Sequence, residues 1–325
     1  MSIVLGIESS AHTFGVGIVE DGRIIANEKE MFPIESGIIP AKVADFHSSN
    51  AYNVIKRALS KTKLSFNEID AIGYTKGPGL GPCLRIGQLA ARTLALKYNK
   101  PLFPVNHSLA HIEVVKSLEK IEDALVLYVS GGNSQILALV DKPFKHYHVY
   151  GETFDIGIGN MLDAFARSAQ LKPAWGSSVA KAAEKGSYIP MPYTVKGMDF
   201  TFTGLLTYAE KALESHRLED VAYSLQETAF AMLVEATERA LLLTKKNAVI
   251  ICGGVAQSSR LSSMLSSMLA QHNASLYRAP NELNADNGAM IAVVAEKMFK
   301  SMIKYSIDEC DINQRYRIDS VEIGW

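Results

Sequence analysis

The chain has 325 residues, with 33 basic against 34 acidic side chains, a formal net charge of −1, and 48 % hydrophobic residues. These proportions suit a globular protein of about two domains and exclude a disordered polymer or a collagen-like chain. The longest apolar runs, such as Ala124–Val129 and Ile291–Ala295, fall far short of the ~18 residues needed to cross a bilayer. Ser2-Ile3-Val4-Leu5 carries no basic leader, so neither a membrane span nor a signal peptide is expected.

In chain order, the pattern predicts a strand at Ile3–Ile7, a small polar turn at Glu8–Thr13 and a strand at Phe14–Val19. Asp21-Gly22 is a tight-hairpin signal before a strand at Arg23–Ala26. An amphipathic helix covers Val43–Leu59, a strand Ile69–Thr75, and Gly77–Arg85 reads as a rigid Gly/Pro loop. The opening order then recurs: strand Ala124–Val129, small turn Ser130–Asn133, strand Gln135–Val140, turn Lys142-Pro143, strand Tyr147–Tyr150. Helical periodicity follows over Met161–Leu171, Ser177–Glu184, Leu205–Glu214 and Val221–Thr244. A strand at Ala248–Cys252, a helix at Ser259–His272, a strand at Ser275–Arg278 and a helix at Asn287–Ile303 complete the chain. Two hairpin-plus-helix units imply an α/β fold built by internal duplication. The expected division is 1–122 and 123–325, with the last helix and tail free to pack back on the first domain.

Cys83, Cys252 and Cys310 are odd in number and widely spaced, as expected of reduced thiols in a cytoplasmic protein without a cysteine zinc site. His107 and His111 are four residues apart, which in a helix puts both imidazoles on one face within reach of one metal ion. A zinc peptidase needs Glu directly after the first His as general base, and Ser108 stands there instead. The turns Glu8–Thr13 and Ser130-Gly131-Gly132-Asn133 are of the small, polar kind whose amides can approach a phosphate. Gly253-Gly254, between a buried strand and a helix, suits an adenine or ribose. Asp286, in Asp286-Asn287-Gly288, either caps the last helix or completes a metal site. The balanced charge means that any nucleic-acid grip must come from a local basic face or from a partner.

Several segments together resemble one family: GPGLGPCLR at 77–85, PVNHSLAHIE at 104–113, YVSGGNSQ at 128–135 and GETFDIGIGNMLDAFAR at 151–167. YTVKGMDFTFTGLL at 193–206, QETAFAMLVEATERA at 226–240, IICGGVA at 250–256 and ADNGAMIA at 285–292 extend the match. The family is the universal threonylcarbamoyltransferases, in the archaeal and eukaryotic branch that supplies the catalytic subunit of the KEOPS complex. The resemblance implies an ASKHA fold (actin, hexokinase, Hsp70), two duplicated domains around a nucleotide cleft. It implies transfer of threonylcarbamoyl from threonylcarbamoyl-AMP to the exocyclic amine of the adenosine 3′ of the anticodon, in tRNAs reading codons that begin with A. Carried over residue by residue, the metal site falls on His107, His111, Tyr128 and Asp286, and the phenolate favours iron over zinc. The acyl-adenylate, or ATP or ADP in the same cleft, would meet Tyr128, Val129, Ser130, Gly131, Gly132, Asn133, Asp163, Gly176, Gly253, Gly254 and Ser258.

Glu8 and His12 are the candidates to accept the proton of the attacking amine. The family's usual Glu and Asn are replaced by Ala180 and Ser258, Trp175 replaces a Gly, and Ala41-Lys42 replaces Arg-Glu. The resemblance also implies tRNA as substrate, with a small atypical kinase (separate chain or C-terminal fusion) and a small dimerising subunit as partners, and no membrane. The competing reading is a nucleotide-responsive tRNA-binding scaffold without chemistry of its own.

Overall fold

The computed structural model describes residues 2–33 and 39–325. Its strands and helices run β1 (Ile3–Glu8), β2 (Thr13–Glu20), β3 (Arg23–Met31), α1 (Pro40–Thr62), β4 (Ala71–Gly77), α2 (Gly81–Tyr98), β5 (Leu102–Asn106) and α3 (His107–Glu119). They continue with β6 (Leu125–Val129), β7 (Ser134–Val140), β8 (His146–Glu152), α4 (Ile158–Ser168), α5 (Gly176–Ala183), β9 (Val195–Lys196), β10 (Asp199–Phe200), α6 (Thr203–Ala212) and α7 (Leu218–Thr244). The last elements are β11 (Ala248–Cys252), α8 (Ser259–Gln271), β12 (Ser275–Tyr277), α9 (Asn281–Asn284) and α10 (Gly288–Lys300). Among the described residues no helix is long and apolar enough to cross a membrane.

The duplication expected from the pattern is present in the topology. One five-stranded sheet has the order β3-β2-β1-β4-β5, and the other has β8-β7-β6-β11-β12. In each, an antiparallel hairpin opens the sheet and two parallel strands are added beside its first strand. Two compact units result: 1–121 with 140–147 and 279–325, and 122–139 with 148–278. Both sheets carry the hairpin-plus-parallel arrangement of the duplicated ASKHA fold.

In the first unit, strand alternation separates the two faces of the sheet. Leu5, Ile7, Phe14, Val16, Ile18, Ile72 and Tyr74 form a core with Val54 and Ala58 of α1 and Ala91 and Ala95 of α2. The residues between them are Gly6, Gly15, Gly17 and Gly73, and Gly6 pairs with both Gly17 and Gly73 across the strands. The backbone of α10 lies on this bare stripe. A Cβ on Gly17 would fall 2.2 Å from the Ala289 nitrogen, and one on Gly6 would fall 2.2 Å from that of Ala292. In the second unit, Leu125, Leu127, Val129, Val249 and Ile251 of the sheet pack with Phe165 of α4 and Leu225, Phe230 and Leu233 of α7.

Two local expectations are corrected. Gly77–Arg85 is not one long loop, because α2 begins at Gly81. Pro82 sits in its first turn, where a missing N–H costs nothing and a fixed φ helps. β3 runs on to Met31, beyond the expected Ala26, because its polar end is tied to α1: Arg57 pairs with Glu30 at 2.7 Å and Lys61 with Glu28 at 3.0 Å.

Candidate metal centre and ligand turns

α3 starts at His107 because Asn106 caps it: the Asn106 side chain accepts the Leu109 amide at 3.0 Å. The cap fixes the helical phase, so His107 and His111 lie one turn apart with ring centroids 4.8 Å apart. At the other end of the chain, Asn287 rather than Asp286 caps α10, accepting the Met290 amide at 3.0 Å. Asp286 is thereby left to face the histidines. Its Oδ1 stands 3.3 Å from His111 Nε2 and 3.6 Å from His107 Nε2. One ligand atom from each of His107, His111 and Asp286 lies within 4.8 Å of the others. Two imidazoles and a carboxylate at that spacing are a donor set that fits a transition-metal ion.

Glu8 is fully buried at the end of β1, and every direction around it is used. Its Oε1 accepts the Ser10 amide at 2.6 Å. Its Oε2 accepts the Thr75 hydroxyl at 2.7 Å and lies 3.1 Å from His107 Nδ1. Burial works to raise the Glu8 carboxyl, but the charge and hydrogen bond of His107 prevail and hold it below its ordinary value. For His107, burial opposes the charge, and the Glu8 and Asp286 carboxylates outweigh it, raising the imidazole to about 9. Burial keeps His111 below its usual value. Asp286 is lowered far below the carboxylate range by its hydrogen bond to His111 and the charges of the histidines, His12 included, against the opposing effect of burial. His12 is half-buried in the turn that follows Glu8.

Tyr128 belongs to the second unit, fully buried on β6. After β6, Ser130-Gly131-Gly132-Asn133 closes on itself: the Ser130 amide donates to the Asn133 carbonyl at 2.7 Å and the Asn133 amide to the Ser130 hydroxyl at 3.1 Å. Gly131 and Gly132 are exposed. Gly253 takes φ +95°, and a Cβ there would fall 2.4 Å from the Val129 carbonyl, so the residue after β11 lies directly against the end of β6. Asp163 accepts the Gly176 amide at 2.7 Å and so holds the start of α5. The Ser258 hydroxyl accepts the Leu261 amide at 3.3 Å and caps α8. Ser and Asn are equivalent caps, which is why Ser can stand there without cost to the helix.

Thr75, Asn106 and Asn287 were not among the sequence candidates. Thr75 holds Glu8, and the two Asn residues cap the helices beside His107, His111 and Asp286; only the two Asn residues had a signal, as N-caps directly before a helical run.

The family described as TsaD, tRNA N6-adenosine threonylcarbamoyltransferase, matches residues 22–293. The chain belongs to this family. A tRNA N6-adenosine threonylcarbamoyltransferase from Thermococcus sibiricus is 46 % identical over 99 % of this chain and 100 % of its own length. A probable bifunctional tRNA threonylcarbamoyladenosine biosynthesis protein from Methanocaldococcus jannaschii is 47 % identical over 99 % of this chain but only 60 % of its own length. Among solved structures, component A of the (R)-2-hydroxyglutaryl-CoA dehydratase of Acidaminococcus fermentans covers 91 % of this chain and 98 % of its own, with 13 % identity and a TM-score of 0.56. That likeness supports the fold alone.

Proposed function

We propose that this chain transfers the threonylcarbamoyl group of threonylcarbamoyl-AMP to the exocyclic amine of the adenosine 3′ of the anticodon, in tRNAs reading codons that begin with A. The observation that carries the reading is the convergence of His107, His111 and Asp286 in a member of a tRNA N6-adenosine threonylcarbamoyltransferase family.

The substrate is a mixed anhydride whose carbonyl is already activated, so the protein's work is to orient it and to manage charge and protons. In this reading His107, His111 and Asp286 would hold a metal ion, and the Tyr128 phenolate that the resemblance adds favours iron over zinc. When bound, the ion supplies Lewis-acid polarisation and a fixed point of positive charge. Glu8 accepts a hydrogen bond from His107 Nδ1–H, which sets the ring's orientation and would leave Nε2 as the ligating atom. With both Glu8 oxygens already engaged, the proton of the attacking amine goes to an imidazole nitrogen of His12.

In the second unit, the Ser130–Asn133 turn holds the phosphate that leaves with AMP through the amides of its exposed Gly131 and Gly132, since those of Ser130 and Asn133 close the turn itself. Gly253 and Gly254 accommodate its adenine side, with Ser258, Asp163 and Gly176 beside them; ATP or ADP would compete for the same residues. The reaction places the chain in the cytoplasm. Its partners are a small atypical kinase, fused or separate, and a small dimerising subunit.

The test is transfer of radiolabelled threonylcarbamoyl to a cognate tRNA by the purified chain, alone and with partners added. His107→Ala and His111→Ala are expected to lose stoichiometric metal by elemental analysis and most of the transfer. Unchanged metal content and transfer in the double variant would overturn the reading and leave a nucleotide-responsive scaffold.

A further inference from the structure

Phe154 is 69 % exposed, in a segment that is otherwise held firmly. Single exposed aromatic side chains are common, so exposure alone says little. The backbone around this one is unusually tied down. The Phe154 amide donates to the Phe200 carbonyl at 3.1 Å and the Thr153 amide to that of Ser134 at 3.0 Å. The next residue, Asp155, accepts the amides of Ile156 and Thr203 at 2.7 Å each and that of Phe202 at 3.0 Å. The chain presents an apolar ring to water on a main chain that is held in place.

Two glycines without neighbours stand in the segments hydrogen-bonded to this one. Gly132 lies in the Ser130–Asn133 turn, around which the Phe154 segment wraps: the Gly159 amide donates to the Ser130 carbonyl at 3.1 Å and the Asn160 amide to that of Gly131 at 3.0 Å. Gly204, the second residue of α6, follows Thr203, whose amide Asp155 holds. A Cβ at either glycine would meet nothing within 4 Å. Neither glycine has a positive φ. Neither packing nor backbone conformation therefore requires glycine there, and within α6 glycine weakens the helix. Missing side chains beside an exposed ring suit a flat group that comes close to the backbone from outside. One turn along α6 from Gly204, Tyr208 is a second exposed aromatic side chain, at 41 %.

We propose that Phe154 is the stacking platform for the base of the accepting nucleotide, with Gly132 and Gly204 leaving room for that nucleotide to lie against the protein. The proposal rests on the reading of the chain as a tRNA adenosine acyltransferase. A base that undergoes chemistry must leave its stack, and a protein ring replaces the lost π-face. Phe touches the face and makes no hydrogen bond to the edge, so the exocyclic amine stays free to attack.

The experiment uses an anticodon stem–loop RNA with 2-aminopurine at the accepting position. This base carries its amine on C2, cannot be modified at N6, and reports stacking by its fluorescence. Replacing Phe154 by Ala or by the similarly apolar Leu is expected to weaken binding about 5- to 100-fold and to abolish the fluorescence change, while Phe154→Tyr and Phe154→Trp retain both. Gly204→Ala is expected to weaken binding while the thermal midpoint holds or rises. Binding by Phe154→Leu equal to that of the unaltered chain would overturn the platform. Transfer to tRNA by the unaltered chain is measured in parallel. Its absence would overturn the functional reading, whereas intact transfer with an indifferent Phe154→Leu overturns only the stacking role.

Discussion

Glu8 bears on the candidate metal centre although it lies outside the proposed ligand set. Its two oxygens are fully engaged, and one of them faces the ring nitrogen of His107 that does not look towards Asp286. Partners of this kind typically contribute about 10–100-fold to metal affinity. Glu8→Gln is therefore expected to weaken metal binding by about that factor in competition with a chromophoric chelator; unaltered affinity would return Glu8 to the role of general base. Protons report on the same contact. In the metal-free chain His107 sits at about 9 against an ordinary value of 6.5. A raised value stabilises the fold fully below about pH 6.5, and the contribution is lost as pH climbs through about 9. Glu8 and Asp286 are lowered, so their contributions are present above the usual carboxylate range and fade on acidification. Urea midpoints of metal-stripped protein should fall from pH 6.5 upward, and zinc-loaded protein should not show that fall. Parallel curves would contradict the pairing. The histidine spacing was legible in the sequence because a helix converts four residues into one face. Asp286 was ambiguous because Asp and Asn are both good caps, and only the folded chain shows that Asn287 caps the helix. Tyr128 had no local signal at all: on β6 it is one more residue of an apolar strand.

At the level of elements, the periodicities located most helices to within a few residues, since their buried faces repeat with the helical turn. The start of α2 was hidden because Gly and Pro also begin helices. The glycine stripe was hidden for another reason. Gly6, Gly17 and Gly73 stand on three separate strands, and their alignment exists only in the register of β1 with β2 and β4. That stripe seats α10 and, through it, Asp286. Gly17→Ala would drive a methyl into backbone 2.2 Å away. Overpacking of this sort costs about 1–3 kcal/mol or more, or roughly 2–12 °C in thermal midpoint. Metal affinity should fall with it, as α10 is displaced; a variant that unfolds earlier yet binds metal normally would show that α10 does not set the position of Asp286. On α5, Ala180 is half-buried where the resemblance calls for Glu. A hydrogen bond involving a charge contributes about 1.5–3 kcal/mol, so Ala180→Glu is expected to tighten adenine-nucleotide binding about 10- to 100-fold by calorimetry. No gain would mean that the pocket is compensated elsewhere.

For the molecule as a whole, 33 basic and 34 acidic residues leave little net attraction for a polyanion. The isolated chain is expected to bind tRNA weakly, with affinity falling steeply as salt rises, and more tightly once the proposed kinase and dimerising partners are added. Tight, salt-insensitive binding by the chain alone would mean that a local basic face or direct base contacts suffice. The discontinuity of the first unit bears on how the protein comes to exist. Residues 1–121 are synthesised before the second unit, yet the segment 279–325 that completes the first unit is synthesised after it. The 175 residues from His111 to Asp286 take roughly 9–35 s to make at about 5–20 residues per second. Through that interval the glycine stripe has no helix on it and the two histidines lack the Asp286 carboxylate. A ribosome that stops early therefore releases a chain with a bare sheet face and an incomplete ligand set. Such a chain invites a chaperone or a protease rather than a metal ion. Because α10 closes the first sheet, the proposed metal site is not complete until translation has passed Asp286 and that helix.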